Sequence, residues 1–182
     1  DFIKKFKTSH TMVMIDPVMG DYGQLYASYT RQICAEMRRL LEYADVVTPN
    51  LTEACELLDW PYPADGRLTE ARLLHMAEEL SARGPRQVVI TGLHGEGSIK
   101  NFLYEKDKGS AVVTVPKVGG DRSGTGDAFA AIVCASLVKG LSLKEAVEKA
   151  ADFINKVLAY TVELDLPWTE GLAFEEYLTE LK

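Results

Sequence analysis

Short apolar blocks alternate along this chain with longer stretches in which apolar residues recur every three or four positions. TMVMIDPV (11–18) is an apolar run closed by Asp-Pro, the pattern of a buried strand running into a turn. MGDYGQLY (19–26) predicts a loop with two glycines. Residues 29–43 carry Ile33, Met37, Leu40 and Leu41 at helical spacing, which predicts an amphipathic helix. ADVVTPN (44–50) predicts a short strand stopped by proline. LTEACELLD (51–59) predicts a short helix with Thr52 as its N-cap. After the proline-rich loop WPYPADGR (60–67), residues 69–83 predict a second amphipathic helix, with Gly84 as its C-terminal signal. RQVVITG (86–92) reads as a strand. SIKNFLYE (98–105) and SAVVTVP (110–116), separated by KDKG, read as a hairpin. Helices are predicted at 124–139, at 142–161 and at 173–181. The second of these opens on Ser142 with Glu145 at the capping-box position.

Strands alternating with helices of this length predict an α/β domain with a mostly parallel sheet. The hairpin between residues 99 and 115 adds an antiparallel element. Residues 1–182 show no internal repeat and no linker, so a single domain is expected. Apolar residues make up 47% and charged residues 26%, the balance of a soluble globular protein. The net charge of −7 and the absence of any basic run longer than two residues argue against nucleic acid or an anionic membrane as partner. A local pocket can still take an anionic small ligand. The three cysteines, Cys34, Cys55 and Cys134, form no CxxC pair and each falls in a predicted helix. They read as small buried apolar groups in a reducing cytoplasm. No apolar run is long enough to span a bilayer. The opening DFIKKFKTSH reaches a strand at once and has no initiator methionine, so the sequence is expected to start inside a longer protein.

The chemistry concentrates at GGDRSGTGDAF (119–129). Glycines there admit positive φ and a close backbone approach, and an apolar helix follows at once. A helix N-terminus presents unpaired N–H groups and partial positive charge, so Gly124, Thr125 and Gly126 suit an anion such as a transferring phosphoryl group. Asp127 beside that cradle can accept a proton from a hydroxyl attacking phosphorus. The same residue also suits a plainer role, a first-turn acid that complements the helix dipole. The spacing is neither GxxxxGK[ST] nor GxGxxG after a first strand, which sets aside a Walker loop and a dinucleotide site.

DRSGTGDAF resembles the GTGD signature of the ribokinase-like (PfkB-type) small-molecule kinases. DPVMGD (16–21) and TPNLTEA (48–54) resemble the pyridoxal kinase branch of that superfamily, and VVITG (88–92) matches its next nucleotide-binding strand. The motifs occur in the family's order over nearly the whole chain. The resemblance implies a ribokinase-like fold of which this chain is the C-terminal part, the ATP-binding half plus the catalytic base. The first strands, the residues that hold the pyridine ring and part of the lid are absent. It implies ATP-dependent phosphorylation of the 5′-hydroxymethyl group of pyridoxal, pyridoxine or pyridoxamine. ATP, Mg²⁺ and a monovalent cation (K⁺ or Na⁺) are the expected cofactors, and a homodimer in the cytoplasm is the family precedent.

Residue by residue, the resemblance makes Asp127 the base and Gly124, Thr125 and Gly126 the anion hole for the γ-phosphate. Asp16 and Asp21 match acids near the ATP phosphates and their cations, which suits the hard oxygen donors Mg²⁺ prefers. Taken alone, Asp16 is also an Asp-Pro turn former and Asp21 a solvated loop acid. Asn50 and Glu53 match residues around the Mg–ATP phosphates, Glu53 acting through water. Thr48 matches a threonine near the monovalent cation and the phosphates. Thr91 and Gly92 match a nucleotide-phosphate or cation contact. Val115, Lys117 and Val118 match the wall of the adenine-ribose pocket, although an edge-strand valine is also ordinary packing. Two alternatives stay open. One is hydroxymethylpyrimidine kinase, a sister branch in which a cysteine often stands at the Asp127 position. The other is a non-catalytic nucleotide-binding fragment. His10, His75 and His94 have no ligand spacing. Trp60 and Trp168 read as loop residues covering the core, and Asn155 as a helix-surface amide. Arg122 reads either as an arm able to reach a phosphate or as an exposed charge.

Overall fold

A computed structural model of the protein describes residues 2–181. Helices are α1 (Phe2–Phe6), α2 (Arg31–Leu40), α3 (Leu51–Leu58), α4 (Glu70–Ala82), α5 (Thr125–Val138) and α6 (Leu143–Glu163). Strands are β1 (Met14–Ile15), β2 (Gly20–Asp21), β3 (Gln24–Leu25), β4 (Val46–Val47), β5 (Gln87–Gly95), β6 (Ser98–Glu105) and β7 (Gly109–Pro116). The main sheet has the order β1-β4-β5-β6-β7, with β1–β4 and β4–β5 parallel. Met14 pairs with Val46, and Val46 with Gln87. Links of two and three residues join β5, β6 and β7, and links that short connect only antiparallel neighbours. The fold is thus α/β, with a mixed, mostly parallel sheet flanked by helices, as the pattern predicts. The antiparallel part is a three-stranded meander, because β5 runs on past Gly92 to Gly95.

The chain divides into two compact units. The first comprises the residues up to His94 together with Lys100–Val112. Its core interleaves one face of the sheet (Val47, Val88, Ile90, Phe102) with α2, α3 and α4, through Cys34, Leu57, Met76 and Leu80 among others. Val46, Val89 and Leu103 on the opposite face are buried too. That two-sided burial is why these strands read as continuous apolar runs rather than alternating ones. The second unit comprises Gly95–Ile99 and the residues from Val113 onward, and holds the antiparallel pair α5 and α6. Ala130, Ile132, Val133 and Ser136 of α5 and Ala146, Val147, Ala150, Ala151, Ile154 and Val157 of α6 are buried.

Local signals explain most boundaries. Thr30, Thr69 and Ser142 cap α2, α4 and α6 from their side chains, and Ser142 with Glu145 forms the predicted capping box. Four expectations change. Residues 19–26 are not an open loop but the β2–β3 ribbon, antiparallel, with Tyr22 (φ 51) and Gly23 (φ 77) at its tip. The strand expected over 11–18 shortens to two residues, because Pro17 has no N–H to extend the ladder. Residues 175–181 form a 3₁₀ segment rather than an α-helix. The α3 cap is Asn50, not Thr52.

Candidate active site

In the first unit, the carboxyl ends of the parallel strands bring several of the expected residues together. Asp16 follows β1 and Thr48 follows β4. The Thr48 side chain is almost wholly buried, and its hydroxyl donates to Asp16 Oδ1 at 2.9 Å. Thr91 lies within β5; its N–H donates to the Pro49 carbonyl at 2.9 Å and it bridges to Asn50. Gly92, with φ 67, bends the strand there, and its N–H donates to Asn101 Oδ1 at 3.2 Å.

Asn50 and Glu53 form a capping box at the start of α3. Asn50 Oδ1 accepts from Glu53 N–H at 3.0 Å, and Glu53 Oε2 accepts from Asn50 N–H at 2.8 Å. Each also reaches outward to the ribbon. Asn50 Nδ2 donates to the Gly20 carbonyl at 2.8 Å, and Glu53 Oε1 accepts from Met19 N–H at 3.1 Å. Thr52, instead of capping, accepts from Gly23 N–H at 2.8 Å. Gly20 permits this close approach, since a Cβ there would overlap the Gln24 carbonyl oxygen. Asp21, in β2, accepts from Tyr22 N–H at 2.8 Å. Tyr22 in turn meets His94, with its hydroxyl 3.3 Å from Nε2.

Glu53 is 5% exposed. Burial pushes its carboxyl up, the N–H groups of Asn50 and Met19 pull it down, and the charges of Asp16 and Asp21 add to the rise; the result is about 8. An acid whose folded pKa is raised holds its proton better in the folded state. Its contribution to stability is complete below the unfolded value of 4.5 and fades as pH climbs through about 8. Urea midpoints measured from pH 5 to pH 9 should therefore fall more steeply for the wild type than for Glu53→Gln. Parallel slopes for the two proteins would remove Glu53 from that titration.

Asp16, Asp21 and Glu53 offer hard oxygen donors, and the first two lie close enough for their charges to raise the Glu53 pKa. That donor set suits a hard divalent cation. Among the described residues no three His, Cys, Asp or Glu side chains converge to hold a metal by themselves. Both Glu53 oxygens already accept backbone N–H groups.

In the second unit, β7 ends at Pro116, with Val115 buried, Lys117 exposed and Val118 half-buried. Lys117 N–H donates to the Gly97 carbonyl at 3.0 Å. Asn155, expected as a helix-surface amide, lies on α6 half-buried and donates from Nδ2 to the Pro116 carbonyl at 2.9 Å. Gly124 is the N-cap of α5, left-handed at φ 83, ψ −4, with no side-chain cap. Thr125 turns its hydroxyl back to the Arg122 carbonyl at 2.7 Å. The Ala128 N–H is the first to bond within the helix, to Gly124. The first-turn amides of Gly126 and Asp127 therefore point out of the helix end, as unpaired N-terminal donors do. A Cβ at Gly124 or Gly126 would meet nothing within 4 Å, so open space surrounds this turn. Asp127 is exposed in that first turn.

Some residues escape sequence reasoning. Asn101 is 4% exposed and holds the Gly92 bend, yet it sits unmarked inside a strand pattern. Arg122 neither reaches out nor stands exposed as a free charge, since it donates to two carbonyls of residues 166–167. Trp60 does pack on the core, but Trp168 is 70% exposed.

The sequence profile of phosphomethylpyrimidine kinases matches residues 2–167. A hydroxymethylpyrimidine/phosphomethylpyrimidine kinase of Staphylococcus aureus is 32% identical over 89% of this chain and 59% of its own length. A structure of a candidate phosphomethylpyrimidine kinase from Bacteroides thetaiotaomicron, solved with pyridoxal, is 35% identical with a TM-score of 0.94. It is matched over 100% of this chain and 64% of its own. Pyridoxal kinase from Leishmania donovani, in complex with ADP and pyridoxamine, is 28% identical with a TM-score of 0.82, over 98% of this chain and 60% of its own. The chain thus spans about three fifths of the length of these relatives. It belongs to the phosphomethylpyrimidine kinase family and carries the ribokinase-like fold that the pyridoxal kinases share.

Proposed function

We propose that the protein transfers the γ-phosphoryl group of ATP to the 5′-hydroxymethyl group of a vitamin B6 vitamer. The observation that carries this reading is the α5 terminus, where an uncapped, left-handed Gly124 is followed within one turn by an exposed carboxylate, Asp127. Asp127 accepts the proton of the attacking hydroxyl. The amides of Gly126 and Asp127, aided by the helix dipole, donate to the phosphoryl oxygens as charge moves across them. Gly124 and Thr125 set the turn that aims those amides. Asp16 and Asp21, with Glu53 through water, are the residues to hold Mg²⁺, which supplies charge neutralisation to the phosphates. Asn50, Thr48, Thr91 and Gly92 line the phosphate side, and a monovalent cation, K⁺ or Na⁺, belongs beside Thr48 and Thr91. Val115, Lys117 and Val118 face the nucleoside. The ADP and pyridoxamine in the Leishmania donovani complex, and the pyridoxal in the Bacteroides thetaiotaomicron structure, support both substrates.

A second reading, hydroxymethylpyrimidine kinase, is favoured by the family description and the Staphylococcus aureus relative. Both acceptors present a hydroxymethyl group on a flat heteroaromatic ring, so the same base and cradle serve either. ATP consumption by the full-length protein, measured with pyridoxal, pyridoxine, pyridoxamine and hydroxymethylpyrimidine in parallel, separates them. A kcat/KM at least about tenfold higher for a B6 vitamer is expected, which is ~1.4 kcal/mol of discrimination. The reverse order assigns the second reading. Nucleotide binding without turnover on any acceptor leaves only a binding module.

A further inference from the structure

Arg122 stands two residues ahead of the glycine turn, and its side chain is committed away from it. Its Nη1 donates to the Leu166 carbonyl at 2.8 Å and to the Pro167 carbonyl at 2.6 Å. One guanidinium nitrogen carries two N–H bonds, so a single fork spans two successive carbonyls. The segment it grips follows α6. Asp165, left-handed at φ 50, turns the chain out of the helix, and Pro167 follows at once.

The same segment touches the turn a second time. Gly171, at φ 73, ψ −142, runs beside Ser123, close enough that a Cβ at 171 would lie 3.1 Å from the Ser123 carbonyl oxygen. Gly171 is held in turn. Ala173 N–H donates at 3.0 Å to Thr161 Oγ1, a fully buried hydroxyl on α6 that itself donates to the Val157 carbonyl at 2.8 Å. On the other flank, a Cβ at Gly119 would press on Val162 of α6. A contiguous set of contacts thus runs from α6 through residues 166–173 to Arg122 and Ser123, and so to Gly124. The turn itself has no side-chain cap and no neighbour around its glycines. Beyond the Thr125 hydroxyl bond to the Arg122 carbonyl, its support comes from these outer contacts.

We propose that Arg122 is a positioning residue: by clipping the Leu166–Pro167 carbonyls it fixes the approach to Gly124, and with it the first-turn amides and Asp127, without touching a phosphate. This rests on the kinase reading above. The test uses the full-length protein. Arg122→Ala is expected to lower kcat by roughly 10–10²-fold, the scale on which small misplacements of a reacting group act. KM for ATP and the dissociation constant for ADP should stay within about threefold, a split that positioning predicts and phosphate binding does not. Arg122→Lys loses the planar fork but keeps a cationic nitrogen with more than one N–H, and should recover about tenfold over the alanine variant. Gly171→Val, forced out of its backbone region, should reproduce the Arg122→Ala signature. Hydrogen exchange should show the amides of 166–173 and 119–126 loosening together in Arg122→Ala while α5 and α6 stay protected. Should Arg122→Ala fail to fold, the lysine and Gly171 variants carry the comparison. A tenfold or greater rise in KM for ATP at unchanged kcat overturns the proposal in favour of a phosphate contact. Unchanged kcat with unchanged exchange overturns it outright. Asp127→Asn run alongside keeps the two ideas apart: if that variant retains turnover, Asp127 is not the base, and the exchange readout still decides the clip.

Discussion

Asp127→Asn is expected to cut phosphoryl transfer by about 10²–10⁴-fold, the usual contribution of a positioned general base. The argument is local. Asparagine keeps the shape and the helical position of the side chain but cannot accept the hydroxyl proton. The side chain is exposed, so no packing is lost. The only other loss is the interaction of a first-turn carboxylate with the helix dipole, about 0.3–1 kcal/mol. A small drop in melting temperature with turnover gone is therefore the predicted pair of results. Nucleotide affinity should barely change, because the amides that meet the phosphate belong to the backbone. If Asp127 served only the dipole, the same variant would lose that fraction of a kilocalorie and keep its full rate. Single-turnover phosphorylation together with a thermal melt separates the two readings in one preparation.

Gly124→Val should come next in size, a loss of about 10²–10³ in kcat, comparable to removing one preorganised oxyanion donor. Steric bulk is not the reason, because a Cβ at this position meets nothing within 4 Å. The reason is the backbone. At φ 83 and ψ −4 Gly124 is left-handed, a region where a β-branched residue is an outlier. Valine therefore relaxes toward negative φ, and the amides behind it swing with the turn. The strain at stake, ~1–2 kcal/mol, is too small to unfold the chain. Activity should fall far more than stability. A variant that melts several degrees lower but phosphorylates at the wild-type rate would show that the turn geometry is irrelevant to catalysis.

The architecture was legible wherever periodicity is physically enforced. The α4 and α6 helices bury one stripe each, so the helical period appears in the sequence, and β5, buried on both faces, appears as a continuous apolar run. The glycine turn was legible because a left-handed φ such as that of Gly124 strongly favours glycine. Two kinds of feature were not legible. The β2–β3 ribbon uses Tyr22-Gly23 at its tip, where the recognisable hairpin dipeptides are Asn-Gly and Asp-Gly. Its stability comes from α3 side chains distant in sequence. The contacts of Arg122, Asn101 and Asn155 are likewise long-range hydrogen bonds to backbone, and nothing in their local sequence marks the partner. Asn50 and Glu53 were picked out by family spacing as ligand residues. In the structure they form the α3 capping box and also bond to the ribbon, so the cap is Asn50 rather than the Thr52 that the local pattern offers.

That shared service has a mechanical consequence. Three side chains from a single helical turn, Asn50, Thr52 and Glu53, each grasp the backbone of the ribbon, at Gly20, Gly23 and Met19. The helix start cannot fray without releasing the ribbon, and the ribbon cannot peel away without uncapping the helix. The two behave as one cooperative patch. Any ligand that steadies either half steadies both, and genetic drift at these three positions is constrained jointly rather than site by site.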